Sequence, residues 1–234
     1  MSFGFTTFIN SDHSILIEFE DTVSEDLTRF ILGVAETITD LAIQKQLEGF
    51  IEQVPAYSSL LIIFDPLHFN PEQAQQTLNS AIKEAKPVSN KQGSLIEIPV
   101  CYDTRVAEDL KYVADYCKMT IKELIQAHSQ QEYTVYMLGF LPGFLYLGDL
   151  DKRLHCPRRD NPRTRIEAGS VGIGGSQTGV YPIASPGGWQ IIGRTPTAML
   201  HVDQSPPAIA NPLDKVRFVP INFDEFEKLN KEEA

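Results

Sequence analysis

The sequence predicts an α+β protein in two parts, a helix-and-sheet half over residues 1–90 and a β-barrel half over residues 91–234. Three observations predict it. The first half reads as regular elements in the order β-α-β-β-α-β, that of the ferredoxin-like α/β sandwich. Glycine is uneven: Gly4, Gly33, Gly49 and Gly93 precede residue 139, and the other eleven fall between Gly139 and Gly193. From Tyr133 to Phe218 the pattern is strand-turn-strand throughout, as in a small closed or nearly closed barrel.

In the first half Ser14–Phe19 is a β-like run. Thr22-x-x-Glu25 has the form of a capping box opening a helix with Leu27, Phe30, Ile31, Val34 and Ile38 at helical spacing. Gly49–Val54 and Leu60–Phe64 are strands joined by a Pro-Ala-Tyr-Ser turn. Asn70 caps a second helix with Pro71 at its first position, running to about Ala85. Leu95–Val100 is the last strand of the set, after a polar joint at 87–94. This half holds no cluster of reactive side chains and reads as a scaffold or docking domain. Two short helices follow, about Val106–Cys117 and Thr120–His128, the second opened by Thr120 and Glu123. The acidic tail from Asp224 reads as a frayed helix.

Composition narrows the function classes. The 234 residues are 42% hydrophobic, enough for a sizeable core, and the net charge is −11. Such acidity repels nucleic acid and anionic membranes. The longest apolar stretch, Met137 to Leu147, is broken by Gly139, Pro142 and Gly143 and is too short for a bilayer. The N-terminus lacks the basic and apolar regions of a signal peptide. Cys101, Cys117 and Cys156 form no C-x-x-C, and the five histidines form no H-x-H or i,i+4 pair, so neither disulfides nor a metal site is expected. The expectation is a reduced, cytoplasmic protein.

Candidate chemistry lies in the second half. GFLPGFLYLGDL (139–150) reads as a glycine-kinked strand pair that lets a ligand or backbone come close. KRLHCPRRDNPRTR (152–165) places six cations, among them Arg158, Arg159 and Arg163, in an otherwise acidic chain. It is either a solvated loop with scattered ion pairs or an anion-binding cluster. GSVGIGGSQTGVYP (169–182) could form a nest of backbone N–H donors, yet it lacks the Gly-Lys-Ser/Thr of a phosphate loop. With SPGGWQIIGRTP (185–196) it offers Gln177, Tyr181, Ser185, Trp189, Gln190 and Arg194 among tight turns. That pattern suits a small-molecule pocket, or turn chemistry around one buried Trp. His128, closing its helix, is either an acid/base group or a partner of the helix dipole.

The pieces GFLPGF-x-YLG, PR-x(4)-PRT-R, GSVGI-GGSQTG-YP and SPGGWQ-IGRTP, in this order and spacing, resemble the KipI / allophanate-hydrolase-subunit-1 family over roughly residues 95–215. The resemblance implies an N-terminal α+β domain followed by a cyclophilin-like β-barrel. It implies a part in an ATP-dependent 5-oxoprolinase opening 5-oxo-L-proline to L-glutamate. Two partners go with that role, one of the KipA / allophanate-hydrolase-subunit-2 type and one of the LamB/YcsF type. The resemblance also brings alternatives: inhibition of a sporulation histidine kinase, a carboxyltransferase or allophanate-hydrolase-related role, or, from the barrel type, prolyl isomerisation. On the first reading Arg163 and Arg194 bind a carboxylate or phosphoryl oxygen. Gln177, Tyr181, Ser185, Trp189 and Gln190 contact substrate, His128 acts as acid/base, and ATP binds with the partner protein. The chain departs from the family after Cys101-Tyr102, where Asp103, Thr104 and Arg105 replace the usual Gly-Gly-acidic run, so either the specificity of that loop differs or an acidic role there falls to Asp103.

Overall fold

The structure, a computed structural model, describes residues 3–20, 22–89 and 93–232. The chain divides into two compact units, residues 1–92 and 93–234. Among the described residues no helix is long and apolar enough to cross a membrane.

In the first unit alternation builds the sheet. β1 (Phe5–Ser11) and β2 (Ser14–Phe19) form a hairpin, and β3 (Phe50–Pro55) and β4 (Ser59–Phe64) form another. The sheet order is β1-β2-β4-β3 with all neighbours antiparallel. Ile15, Ile17, Leu60 and Ile62 bury one face, on which α1 (Glu25–Ile43) lays Leu27, Ile31, Val34 and Ile38. The second helix, α2 (Pro71–Glu84), adds Leu78 and Ile82 to this core. Asn70 caps it, accepting a hydrogen bond from the Gln73 amide at 3.1 Å.

Two assignments differ from expectation. The cap of α1 is Ser24, whose hydroxyl accepts from the Leu27 amide, so Glu25 is the first helical residue and Thr22 lies outside. The edge place beside β2 that the ferredoxin-like order gives to a final strand is taken by β1. The run expected there, β5 (Leu95–Cys101), belongs to the second unit, where it pairs in parallel along its whole length with β13 (Lys215–Ile221).

That second unit is a closed seven-stranded barrel. Between β5 and β13 run α3 (Leu110–Tyr116), α4 (Ile121–Ser129), β6 (Glu132–Leu138), β7 (Leu145–Leu147), β8 (Arg163–Ile166), β9 (Ser170–Gly174), β10 (Gln177–Val180), β11 (Ser185–Gly187) and β12 (Gln190–Arg194). The barrel order is β10-β7-β6-β13-β5-β12-β9, and β8 and β11 form a separate two-stranded ribbon. Val135, Leu147, Val171, Ile173, Ile192 and Phe218 share one core with Leu110, Val113 and Leu124 of the helices. Thr120 and Glu123 cap α4 reciprocally. α3 starts later than its apolar pattern suggests: Asp109 holds the cap position but makes no side-chain cap bond. The tail is an ordered helix, α5 (Phe223–Glu232), anchored by buried Phe226.

Candidate functional site

Three arrangements in the barrel unit gather the chemistry-bearing side chains. The first surrounds His128, which is wholly buried at the end of α4. Its Nδ1 lies 2.7 Å from the Tyr102 hydroxyl and its Nε2 2.9 Å from Thr178 Oγ1. Thr178 has one hydroxyl proton and gives it to the Gly172 carbonyl at 3.0 Å. Its oxygen can therefore only accept from the ring, which fixes the proton on Nε2 and leaves Nδ1 to accept from Tyr102. The ring stacks on Phe218, centroids 4.6 Å apart, and burial pushes its pKa down to about 3. His128 is thus a neutral strut packed in the core. The acid/base role needs a proton exchanging with solvent or substrate, and the packing does not supply it.

The second arrangement centres on Asp109, which sequence reasoning missed. Its buried carboxylate accepts from Arg163 at 2.8 and 2.9 Å, from Arg159 at 3.1 Å and from the Ile191 amide at 2.7 Å. Glu108 adds a contact to Arg163 at 3.0 Å. The hydrogen bonds that Arg163 donates to Asp109, ahead of the opposing effect of burial, hold its guanidinium in the charged form. Arg163, expected to bind a substrate carboxylate or phosphoryl oxygen, instead clamps a carboxylate of the protein itself. Arg194 is likewise engaged, donating from Nε to the Ala168 carbonyl at 2.9 Å.

The third arrangement is a cavity of about 310 Å³ on the outer side of the barrel. Val171, Ile173 and Thr178 point into the core, so Gly172, Gly174 and Gly179 face outward. A Cβ on Gly174 would collide with the Trp189 indole, and one on Gly179 would crowd the Leu145 carbonyl and the indole. The glycine-rich run is therefore a seat for Trp189. Its backbone donors are taken up by the β9–β10 and β9–β12 ladders, by Tyr181 N to the Ser170 carbonyl and by Gly175 N to the Cys156 carbonyl. The expected anion nest does not form there. Trp189 packs with Phe144, Ile166, Tyr181 and Ile191. The cavity opens among Phe140, Tyr146, Tyr181, Trp189, Arg158 and Gly188.

Of the site residues expected from sequence, the structure brings Tyr181 and Trp189 to this cavity. Gln190 is buried and donates to the Pro157 carbonyl at 3.1 Å. Ser185 is buried in β11, and Gln177 opens β10 opposite Gly174. A further cavity of about 380 Å³ includes Asp103 and Arg105. They pair with each other at 2.8 Å, and the Arg105 guanidinium lies 3.4 Å over the Phe223 ring. The hydrogen bonds from Arg105 hold Asp103 down at about 2, so its carboxylate is already occupied.

Comparison with known proteins adds the family. The chain is 45% identical over 176 residues to the 5-oxoprolinase B component of Haemophilus influenzae, covering 75% of this chain and 82% of the relative. It is 36% identical to the 5-oxoprolinase B component of Bacillus subtilis over 231 residues, 94% of this chain and 95% of the relative. Among solved structures, Kluyveromyces lactis urea carboxylase superposes with a TM-score of 0.83 at 21% identity over 98% of this chain, which spans 23% of that longer enzyme. At that identity the likeness speaks for the fold. The family described as carboxyltransferase domain, subdomain C and D, matches residues 6–210. With a match that takes in both units and nearly the whole length, the chain belongs to the carboxyltransferase subdomain C and D family.

Proposed function

We propose that this chain is the B component of a 5-oxoprolinase, which opens 5-oxo-L-proline to L-glutamate. The observation that carries the reading is 36–45% identity, over most of both lengths, to proteins of that name. The reaction adds a water oxygen to the lactam carbonyl carbon, breaks the ring C–N bond and leaves a proton on the departing nitrogen. A lactam carbonyl is a poor electrophile, so the site must bind the ring tightly and stabilise charge as it develops.

This chain supplies part of such a site. The Trp189 cavity offers aromatic walls and a cation, but no free general base lies against it among the lining residues. His128 is sealed in the core and Arg163 is held by Asp109. Acid/base groups are accordingly assigned to partners, one of the KipA / allophanate-hydrolase-subunit-2 type and one of the LamB/YcsF type. ATP, as co-substrate, is also assigned to a partner, because the glycine-rich run has its N–H groups in the barrel ladder and does not fit a nucleotide phosphate. A cytoplasmic place suits the three free thiols.

Reconstitution tests the reading. This chain, purified and mixed with its KipA-type and LamB/YcsF-type partners and ATP, should release glutamate from 5-oxo-L-proline. Leaving out this chain should abolish turnover. Turnover that persists without it would return the chain to a regulatory role.

A further inference from the structure

The basic run 152–165 contains Arg153, Arg158, Arg159, Arg163 and Arg165. Four of the five have carboxylate partners: Arg153 pairs with Asp151, Arg159 and Arg163 with Asp109, and Arg165 with Glu167. Arg158 has neither an acid partner nor a hydrogen bond among the described residues. Its guanidinium carbon lies 5.8 Å from the centre of the Trp189 ring, at the wall of the aromatic cavity.

Both neighbours of Arg158 are fastened. The Pro157 carbonyl accepts from Gln190, the Arg159 amide donates to the Gly188 carbonyl at 2.7 Å, and the Arg159 side chain is held by Asp109. The loop thus presents Arg158 at a set place, with much of its backbone ordering already met before a ligand arrives. Tyr146 and Tyr181 line the same cavity as Arg158 and Trp189.

A cavity of about 310 Å³ with aromatic walls and one cation selects a small, flat-faced ring bearing one carboxylate. A nucleotide, with several phosphates, would leave most of its charge unmatched. We propose that the Trp189 cavity is the carboxylate-binding subsite for the lactam substrate, with Arg158 forking onto the carboxylate and the five-membered ring lying against the indole. The assignment rests on the 5-oxoprolinase reading for the identity of the ligand.

Trp189 is the one tryptophan of the chain, so it reports on its own cavity. Titrating the purified full chain with 5-oxo-L-proline should change Trp189 emission saturably, and Arg158→Ala should weaken that binding at least about tenfold. 5-Oxoprolinamide keeps the ring without the negative charge and should bind the wild-type chain as weakly as the acid binds Arg158→Ala. In the assembly reconstituted with both partners, Arg158→Ala should raise the KM for 5-oxo-L-proline at least about tenfold, with a smaller fall in kcat. Arg158→Lys should recover part of the loss, since charge returns without the planar fork. An unliganded emission spectrum and a cooperative unfolding curve like those of the wild type establish that each variant is folded. The inference is overturned if Arg158→Ala matches the wild type in both titration and KM, or if the amide binds as tightly as the acid. A raised KM with no emission change in the free chain supports a subsite completed by the partners. If turnover needs this chain while both titration and KM ignore Arg158, the 5-oxoprolinase reading stands and the subsite falls. If turnover ignores the chain altogether, the 5-oxoprolinase reading falls, and the emission titration alone decides the cavity.

Discussion

His128 and Asp109 show opposite fates for an ionisable side chain in one barrel. Asp109 is buried with its carboxylate accepting from two guanidiniums and an amide. His128 is kept neutral because burial strips water from its charged form and its two ring partners are neutral hydroxyls. The consequence is a pH dependence of stability. The unfolded imidazole titrates near its ordinary 6.5 and the folded one near 3. Between these values the unfolded chain binds a proton that the folded chain does not, so stability is complete above about 6.5 and declines as pH falls toward about 3. The slope approaches ~1.4 kcal/mol per pH unit. Urea denaturation should therefore show His128→Gln losing roughly 2 kcal/mol less than the wild type on going from about pH 7 to about pH 5. Parallel pH profiles for the two proteins would contradict the buried, neutral assignment. These residue-scale facts were hidden in the sequence for a physical reason. A histidine closing a helix looks the same whether it faces solvent or Phe218, and the Glu-Asp before α3 looks like a helix start whether or not its carboxylate turns away. The arginine cluster was legible as a cluster. Which of its members remains free depends on where Asp109, Asp151 and Glu167 fall in space.

At the scale of elements, periodicity is legible in the sequence and long-range strand pairing is not. The cores of α1 and α2, the Asn70 cap and the Thr120–Glu123 box follow from local pattern and recur in the structure. The partner of β5 could not follow from local pattern, since its parallel neighbour β13 lies over a hundred residues away and crosses no short turn. The glycine-rich run illustrates the same limit. Its glycines signal close approach, but the approaching group is a side chain of the protein itself. Gly174→Ala should therefore force the Trp189 indole off its seat, with a red-shifted emission and a loss of about 1–3 kcal/mol. Gly175 supplies the control. Its φ is +69° and a Cβ there meets nothing within 4 Å, so Gly175→Ala should cost roughly 1 kcal/mol of backbone strain and leave the emission in place. Equal spectra for Gly174→Ala and the wild type would mean that the glycine serves the strand and not the indole.

For the whole molecule, the jump in glycine density marks a change of building method. The first unit buries the helix faces of α1 and α2 on an antiparallel sheet, and the second closes seven strands on themselves. Their two main cores share no residue. Closure of the barrel needs only its own segments: β5 pairs with β13 over seven positions, and Asp214 accepts from the Ser94 amide at 2.8 Å beside that seam. A closed barrel also leaves no strand edge to be covered by the missing half. Residues 93–234 expressed alone should therefore fold cooperatively, keep the Trp189 emission of the full chain and retain its response to 5-oxo-L-proline. The complementary fragment, residues 1–92, carries the sheet and both of its helices and should show helical circular dichroism with no tryptophan signal. In the reconstituted assembly the barrel fragment separates two tasks. If it restores glutamate release alone, the first unit is dispensable for chemistry. If it binds the lactam acid yet turnover returns only with the full-length chain, the first unit serves assembly with the partner proteins. A barrel fragment that is unfolded, or whose Trp189 emits as a fully hydrated indole, would show that the two cores are not independent.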